Sequence, residues 1–195
     1  MTLVYLVQHG DKQRVSGDPG LTSLGRQQAG QAGAWLQHQG ICSLYSSPLR
    51  RARETADCIS ELTGRPVITD DRLRERLNWA GSEPFEEFLA RWARTEQDRD
   101  YQPAGGDSSR QAAGRLREFL TGLAGQPGPV AAVTHGGVTT DLMRTMLGDA
   151  AVPPALRESG IPACAITAVT DATRVPLIAS VTHLAEPGGW LLDYR

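Results

Sequence analysis

Two rhythms of apolar residues alternate along this chain. Short, nearly continuous apolar runs at Leu3–Val7 and Val130–Val133 read as buried parallel strands, and Ile41–Tyr45 and Val67–Thr69 as two further short strands. Between them the spacing is helical. Thr22 is placed to N-cap a helix reaching about Gln39, with Leu24, Gln28, Ala32, Trp35 and Leu36 inclined to one side and Gly40 ending it. Ser47 as N-cap and Pro48 at the first helical position open a second helix. Its expected apolar face is Leu49, Ala52, Ala56, Ile59 and Leu62, and Gly64-Arg65-Pro66 closes it. Residues 84 to 97 predict a helix over the sheet, Asp107 caps another to about Leu123, and Val138 to Leu147 gives a further one. Two late strands are expected near Ala163–Val169 and Leu177–Thr182. Strands alternating with helices imply an α/β fold, a three-layer α/β/α sandwich on a mainly parallel central sheet. No repeat or linker divides the chain, so one domain over 1–195 is expected.

Two of these strands end alike. Leu3–Val7 leads to Gln8-His9-Gly10, and Val130–Val133 to Thr134-His135-Gly136-Gly137. Ligands of open α/β sheets sit beyond the carboxyl ends of the strands. If the two strands are neighbours, both imidazoles reach one pocket, which is a catalytic geometry.

Composition narrows what such a pocket could serve. A chain of 195 residues can enclose a full core, and 40% hydrophobic with 22% charged residues is ordinary for a soluble globular protein. A net charge of −2 argues against a dedicated nucleic-acid surface. The arginines at 50, 51, 53, 72, 74 and 76 are interleaved with Glu54, Asp57, Glu61, Asp70, Asp71 and Glu75, as on a mixed, solvated surface. No apolar run approaches the roughly 20 residues a membrane helix needs. Cys42, Cys58 and Cys164 are odd in number and widely spaced, which suggests neither a disulfide framework nor a zinc site. Met1 leads straight into a strand without a charged leader, so a cytoplasmic location is expected. The expected partner is a small molecule, with no nucleic acid and no membrane.

Six pieces in fixed order carry a resemblance: Leu6-Val7-Gln8-His9-Gly10, Leu21–Ala29, Ser46–Ala56, Leu73-Arg74-Glu75-Arg76, Gly105-Gly106-Asp107-Ser108 and Thr134-His135-Gly136-Gly137. Together they resemble the histidine phosphatase superfamily, with its phosphoglycerate mutase-like fold. The resemblance implies a metal-independent phosphomonoesterase with no cofactor, acting on a small phosphorylated metabolite. It makes His9 the nucleophile, since a neutral imidazole can attack phosphorus and divide one displacement into two. Arg51 is the phosphoryl clamp, a planar fork that lysine cannot reproduce, chosen over Arg50 and Arg53 by the family spacing. Glu75 is the proton donor and acceptor, with Glu83, Glu86 and Glu87 as the other carboxylates in reach along the chain. His135 is expected to stabilise charge on the transferring group, with Gln8, Gly10, Lys12, Arg14 and Gly136 contacting substrate and the Gly136-Gly137 amides adding donors. His38, near a helix end, reads as solvated or capping, and His183 as structural.

The family pattern begins Arg-His-Gly, whereas this chain has Gln8. Glutamine keeps a donor amide but loses the charge and the fork. A rate deficit of about 10²–10³ follows by analogy with the loss of one oxyanion-hole donor, and Lys12 or Arg14 could supply a replacement cation. Other phosphoryl chemistries lack their signatures: no Gly-x-Ser-x-Gly elbow, no cysteine with an arginine six residues on, no P-loop and no His-Glu-x-x-His. Asp98-Arg99-Asp100 has the spacing of aspartate-nucleophile enzymes but follows a polar stretch. Within the family, the short stretches from His9 to Leu21 and from Glu75 to Gly105 resemble phosphatases more than cofactor-dependent phosphoglycerate mutases. A weakened relative that binds phosphorylated ligands or a partner protein is the other reading, motivated by Gln8.

Overall fold

Alternate residues of β1 (Leu3–Gln8) enter different cores, Val4 and Leu6 on one face of the sheet and Tyr5 and Val7 on the other. This double burial explains why the run shows no polar alternation. A computed structural model describes residues 2–170 and 174–184. Its remaining elements are α1 (Ser23–His38), β2 (Ser43–Ser46), α2 (Arg50–Thr63), β3 (Val67–Thr69), α3 (Phe85–Gln97), α4 (Ser109–Gly122), β4 (Val130–Thr134), α5 (Gly136–Leu147), α6 (Pro154–Glu158), β5 (Ile166–Thr170) and β6 (Arg174–Ser180).

The sheet order is β3-β2-β4-β1-β5-β6, with the first four strands parallel and β5 antiparallel to both its neighbours. Val4, Leu6, Val130 and Ala132 pack with Ala112, Leu116 and Phe119 of α4 and Val138 and Leu142 of α5. Tyr5, Val7, Ala131 and Val133 pack with Leu36 of α1 and Ala52, Ala56 and Ile59 of α2. Helices therefore cover both faces, giving the expected three layers.

Several local expectations are corrected. Thr22 does cap α1, its hydroxyl accepting the Gly25 N–H at 3.1 Å. The buried stripe, however, is Gly25, Ala29, Ala32, Gly33 and Leu36, while Leu24 is 39% exposed. Close approach selects small residues here: a Cβ on Gly25 would stand 2.1 Å from the Asp11 carbonyl oxygen, and one on Gly10 would stand 2.5 Å from the Gly25 carbonyl oxygen. Leu62, expected on the apolar face of α2, is likewise 39% exposed. Ser47 does not cap α2. The N-cap position is Leu49 without a side-chain bond, and the Asp18 carboxylate accepts the Arg50 N–H at 2.9 Å instead. Asp107 does not cap α4: Ser108 does, in a capping box with Gln111, while Asp107 pairs with Arg74 and Arg115. Helix α3 buries only Thr95 and leaves Phe85 and Leu89 exposed, so it adds nothing to either core of the sheet. Helix α5 begins at Gly136, two residues before the expected start.

The Gly10–Gly25 crossing is expected to be unforgiving. Gly25→Ala should cost at least about 1–3 kcal/mol as overpacking, whereas Leu24→Ala at its exposed neighbour should stay within about 0.5 kcal/mol. Urea unfolding midpoints of the two variants against wild type check the contrast.

Candidate active site

Register decides what meets at the carboxyl rim of the sheet. Gln8 of β1 lies opposite Thr134 of β4, so His9 and His135 leave neighbouring parallel strands at the same height. Their ring centroids are 5.3 Å apart with planes inclined at 60°. On the other side of β4, Ser46 of β2 lies opposite Val133, which delivers Ser47 beside His135. The Thr134 hydroxyl donates to the Leu73 carbonyl at 2.8 Å and so moors the segment after β3 to the same rim.

His9 Nδ1 lies 2.8 Å from the Gly10 carbonyl oxygen. Only an N–H satisfies that oxygen, so the hydrogen is on Nδ1 and Nε2 carries the lone pair. Burial, reinforced by the Arg51 charge, pushes the His9 pKa down to about 3. The ring is neutral near pH 7. His135 is fully buried, and burial with the Arg51 and His9 fields holds it well below the usual imidazole range. Ser47 Oγ accepts the Leu49 N–H at 3.3 Å and lies 2.7 Å from His135 Nε2. The Ser47 hydroxyl donates to that nitrogen, which leaves the hydrogen of the neutral ring on Nδ1, an atom with no protein partner.

Arg51 is the buried arginine of its cluster, 4% exposed, whereas Arg50 is exposed and pairs with Glu54, and Arg53 is exposed. Its Nη1 donates to Asn78 Oδ1 at 3.1 Å, and its Nε has no partner. Burial lowers the Arg51 pKa, opposed by Glu75 and Asp18. Asn78 in turn donates from Nδ2 to the Gly17 carbonyl, so one amide ties the guanidinium to the loop after β1. Thr55 joins the same parts, its hydroxyl donating to the Arg51 carbonyl at 2.7 Å and accepting the Gly10 N–H at 3.0 Å.

Glu75 sits at the opening of α5. Oε1 accepts from the Arg76 and Val138 amides, both at 2.9 Å, and Oε2 from the Gly137 amide at 3.0 Å. Beside it Arg76, completely buried, pairs with Asp141 at 2.8 Å and with Glu96, and stacks 3.9 Å from the Trp92 ring centroid. Asp141 also accepts from Ser109, and burial pushes its pKa up to about 6. Glu83 is tied to Arg91, while Glu86 and Glu87 lie exposed in the first turn of α3.

Gln8 Nε2 lies 3.3 Å from His9 Nε2, while its buried Oε1 has no partner. Lys12 is half-buried, forms no ion pair among the described residues, and its charge reaches His9. Arg14 is exposed, and its charge acts on Lys12. Of the sequence-predicted residues, then, the structure gathers Gln8, His9, Gly10, Arg51, Glu75, His135 and Gly136, with Lys12 half-buried at the margin and Arg14 exposed beyond it. Ser47, Thr55, Asn78, Arg76 and Asp141 join them unforeseen. A cavity of about 690 Å³ adjoins the group, sharing Glu75, Arg76 and Asn78 and otherwise lined by Leu49, Arg74, Leu77 and the 102–107 loop.

The family model described as "Histidine phosphatase superfamily (branch 1)" matches residues 4–181. A glucosyl-3-phosphoglycerate phosphatase of Mycolicibacterium vanbaalenii is 34% identical over 166 residues, 74% of each chain. A probable phosphoglycerate mutase GpmB of Erwinia tasmaniensis is 32% identical over 209 aligned positions, 99% of this chain and 92% of the relative. Among solved structures, a mycobacterial glucosyl-3-phosphoglycerate phosphatase in complex with inorganic phosphate superposes with a TM-score of 0.75 at 28% identity, covering 94% of this chain and 99% of that one.

Asn78→Ala frees Arg51 Nη1 and the Gly17 carbonyl at once. Inorganic phosphate affinity is expected to fall about tenfold, the worth of a charge-assisted hydrogen bond, as read by isothermal titration calorimetry.

Proposed function

The chain belongs to the histidine phosphatase superfamily, and on that footing we propose that it hydrolyses the phosphomonoester of a small metabolite through a phosphohistidine on His9. What supports this reading most is where unmet hydrogen-bonding capacity collects. Buried polar groups are normally satisfied. Yet Gln8 Oε1, Arg51 Nε and His135 Nδ1, at one rim of the sheet, have no protein partner. Two of these are donors, as a phosphoryl group requires.

In this mechanism His9 Nε2 attacks phosphorus with the lone pair that the Gly10 contact leaves there. Because burial keeps the ring neutral, no deprotonation precedes attack. Arg51 and His135 Nδ1–H donate to the phosphoryl oxygens, fixed in place by Asn78 and Ser47. Glu75 delivers a proton to the departing oxygen and later takes one from water, acting at Oε2, which accepts only one backbone N–H. The adjoining cavity holds the leaving group. Lys12, half-buried and unpaired, makes up in part for the charge that Gln8 lacks.

The E. tasmaniensis relative, named a probable phosphoglycerate mutase, supports phosphoryl transfer between positions of one substrate as a second reading. Hydrolysis of p-nitrophenyl phosphate against interconversion of 3- and 2-phosphoglycerate with 2,3-bisphosphoglycerate separates the two. Hydrolysis should dominate and fall by on the order of 10³ or more in His9→Ala. Quenched wild type should carry an acid-labile, base-stable phosphate on His9, and its absence would overturn the reading. Lys12→Ala is expected to lower kcat/KM about 10–100-fold, and Arg14→Ala by less than about threefold, since its charge is solvent-screened.

A further inference from the structure

We propose that Gln8 makes this site select the singly protonated phosphoryl group, its side-chain carbonyl accepting a hydrogen from P–OH. The inference rests on the phosphoryl site proposed above. It begins with the orientation of one amide. His9 Nδ1 donates to the Gly10 carbonyl, so Nε2 presents a lone pair. The Gln8 amide atom 3.3 Å from that lone pair must be its NH₂, which fixes Oε1 on the other side. Oε1 is carried by the same amide as the nitrogen that touches the attacking atom, and it lies on the Gly136 side of the nucleophile. It is buried, has no partner, and faces Gly136, 3.6 Å from where a Cβ on that glycine would stand.

Two further unmatched groups of the site, Arg51 Nε and His135 Nδ1, are donors. A fully ionised phosphoryl group suits them but brings no hydrogen to Oε1, so two acceptors would face one another in a buried place. A monoanion brings the missing hydrogen. An arginine at the same position, as in the family pattern, would favour the dianion. The proton stays on the phosphoryl oxygen throughout. His9 Nε2 bonds to phosphorus, the ester P–O bond breaks with its electron pair on the leaving oxygen, and Glu75 supplies that oxygen's proton. Water then attacks phosphorus, the P–N bond returns its pair to Nε2, and the proton of water goes to Glu75.

Titratable and charged groups around the site also bear on pH dependence: His9 beside Gln8, His135 after β4, Arg51 from α2, Glu75 from the segment after β3 and Lys12 from the loop after β1, with Cys164 before β5 packed against α1. Burial holds both histidines neutral and pushes the Cys164 thiol up. Burial also lowers the Lys12 ammonium, so a control for its titration is needed.

Sulfate provides that control, a dianion of phosphate's shape without a hydrogen. Inorganic phosphate and sodium sulfate are titrated into wild type by calorimetry between about pH 5.5 and about pH 8, across the second ionisation of inorganic phosphate. Phosphate is expected to bind at least about tenfold tighter than sulfate at the acid end, with the ratio collapsing about tenfold toward the alkaline end. Gln8→Arg should bind sulfate about as well as phosphate and lose the collapse. Equal binding of the two anions by wild type at about pH 5.5, or a ratio flat with pH, would overturn monoanion selection while leaving the phosphoryl site intact. Failure of wild type to bind either anion more tightly than an Arg51→Ala variant would remove the site and the inference together.

Discussion

Everything at the candidate site hangs on one register, the in-line parallel pairing of β1 with β4. Because Gln8 faces Thr134, the residues that follow are set side by side with no loop between strand and imidazole. The strands are held from both faces by separate cores, and a slip of one residue would exchange the contents of those cores. Apolar packing thus sets the placement of two polar rings that take no part in it. The next strand over, β2, adds Ser47 at the same level by the same means.

Burial then sets the chemistry of those rings. His9 and His135 are largely withdrawn from solvent, and a cation beside two imidazoles removes any advantage in protonating them. The tautomers follow from two fixed neighbours, a carbonyl at Gly10 and a hydroxyl at Ser47, so one ring offers a lone pair and the other a hydrogen. Charge is concentrated in Arg51, whose orientation is set by an amide that also grips the loop over it. Below, the fully buried Arg76–Asp141 pair locks the stretch bearing Glu75 and Asn78 against α5.

Strand ends and glycine-flanked motifs were legible in the sequence because they are local. Leu3–Val7 and Val130–Val133 announce buried strands by composition alone, and the histidines follow at once. Arg51 and Glu75 were legible through their motif neighbours. What escaped was every choice between two local roles that tertiary structure makes. Ser47 before Pro48 has the pattern of a cap, yet its hydroxyl meets a histidine far along the chain. Asp107 and Ser108 both suit a helix start, and two arginines from elsewhere in the chain claim the aspartate. Leu24 fits a helical stripe, but the backbone of Asp11 comes so near the next residue that only glycine can face it. Asn78 and Asp141 carry no local signal, since their partners lie on other elements.

The position of β1 also bears on how such a molecule comes into being. Its two sheet neighbours, β4 and β5, both lie in the second half of the chain. During synthesis the first strand therefore emerges from the ribosome with no edge to join, as a bare apolar segment of high β propensity, while most of the polypeptide is still to be made. The two histidine-bearing segments can meet only after a long loop has closed, a topology that folds slowly. A fragment lacking the later strands would leave the first one without a sheet neighbour.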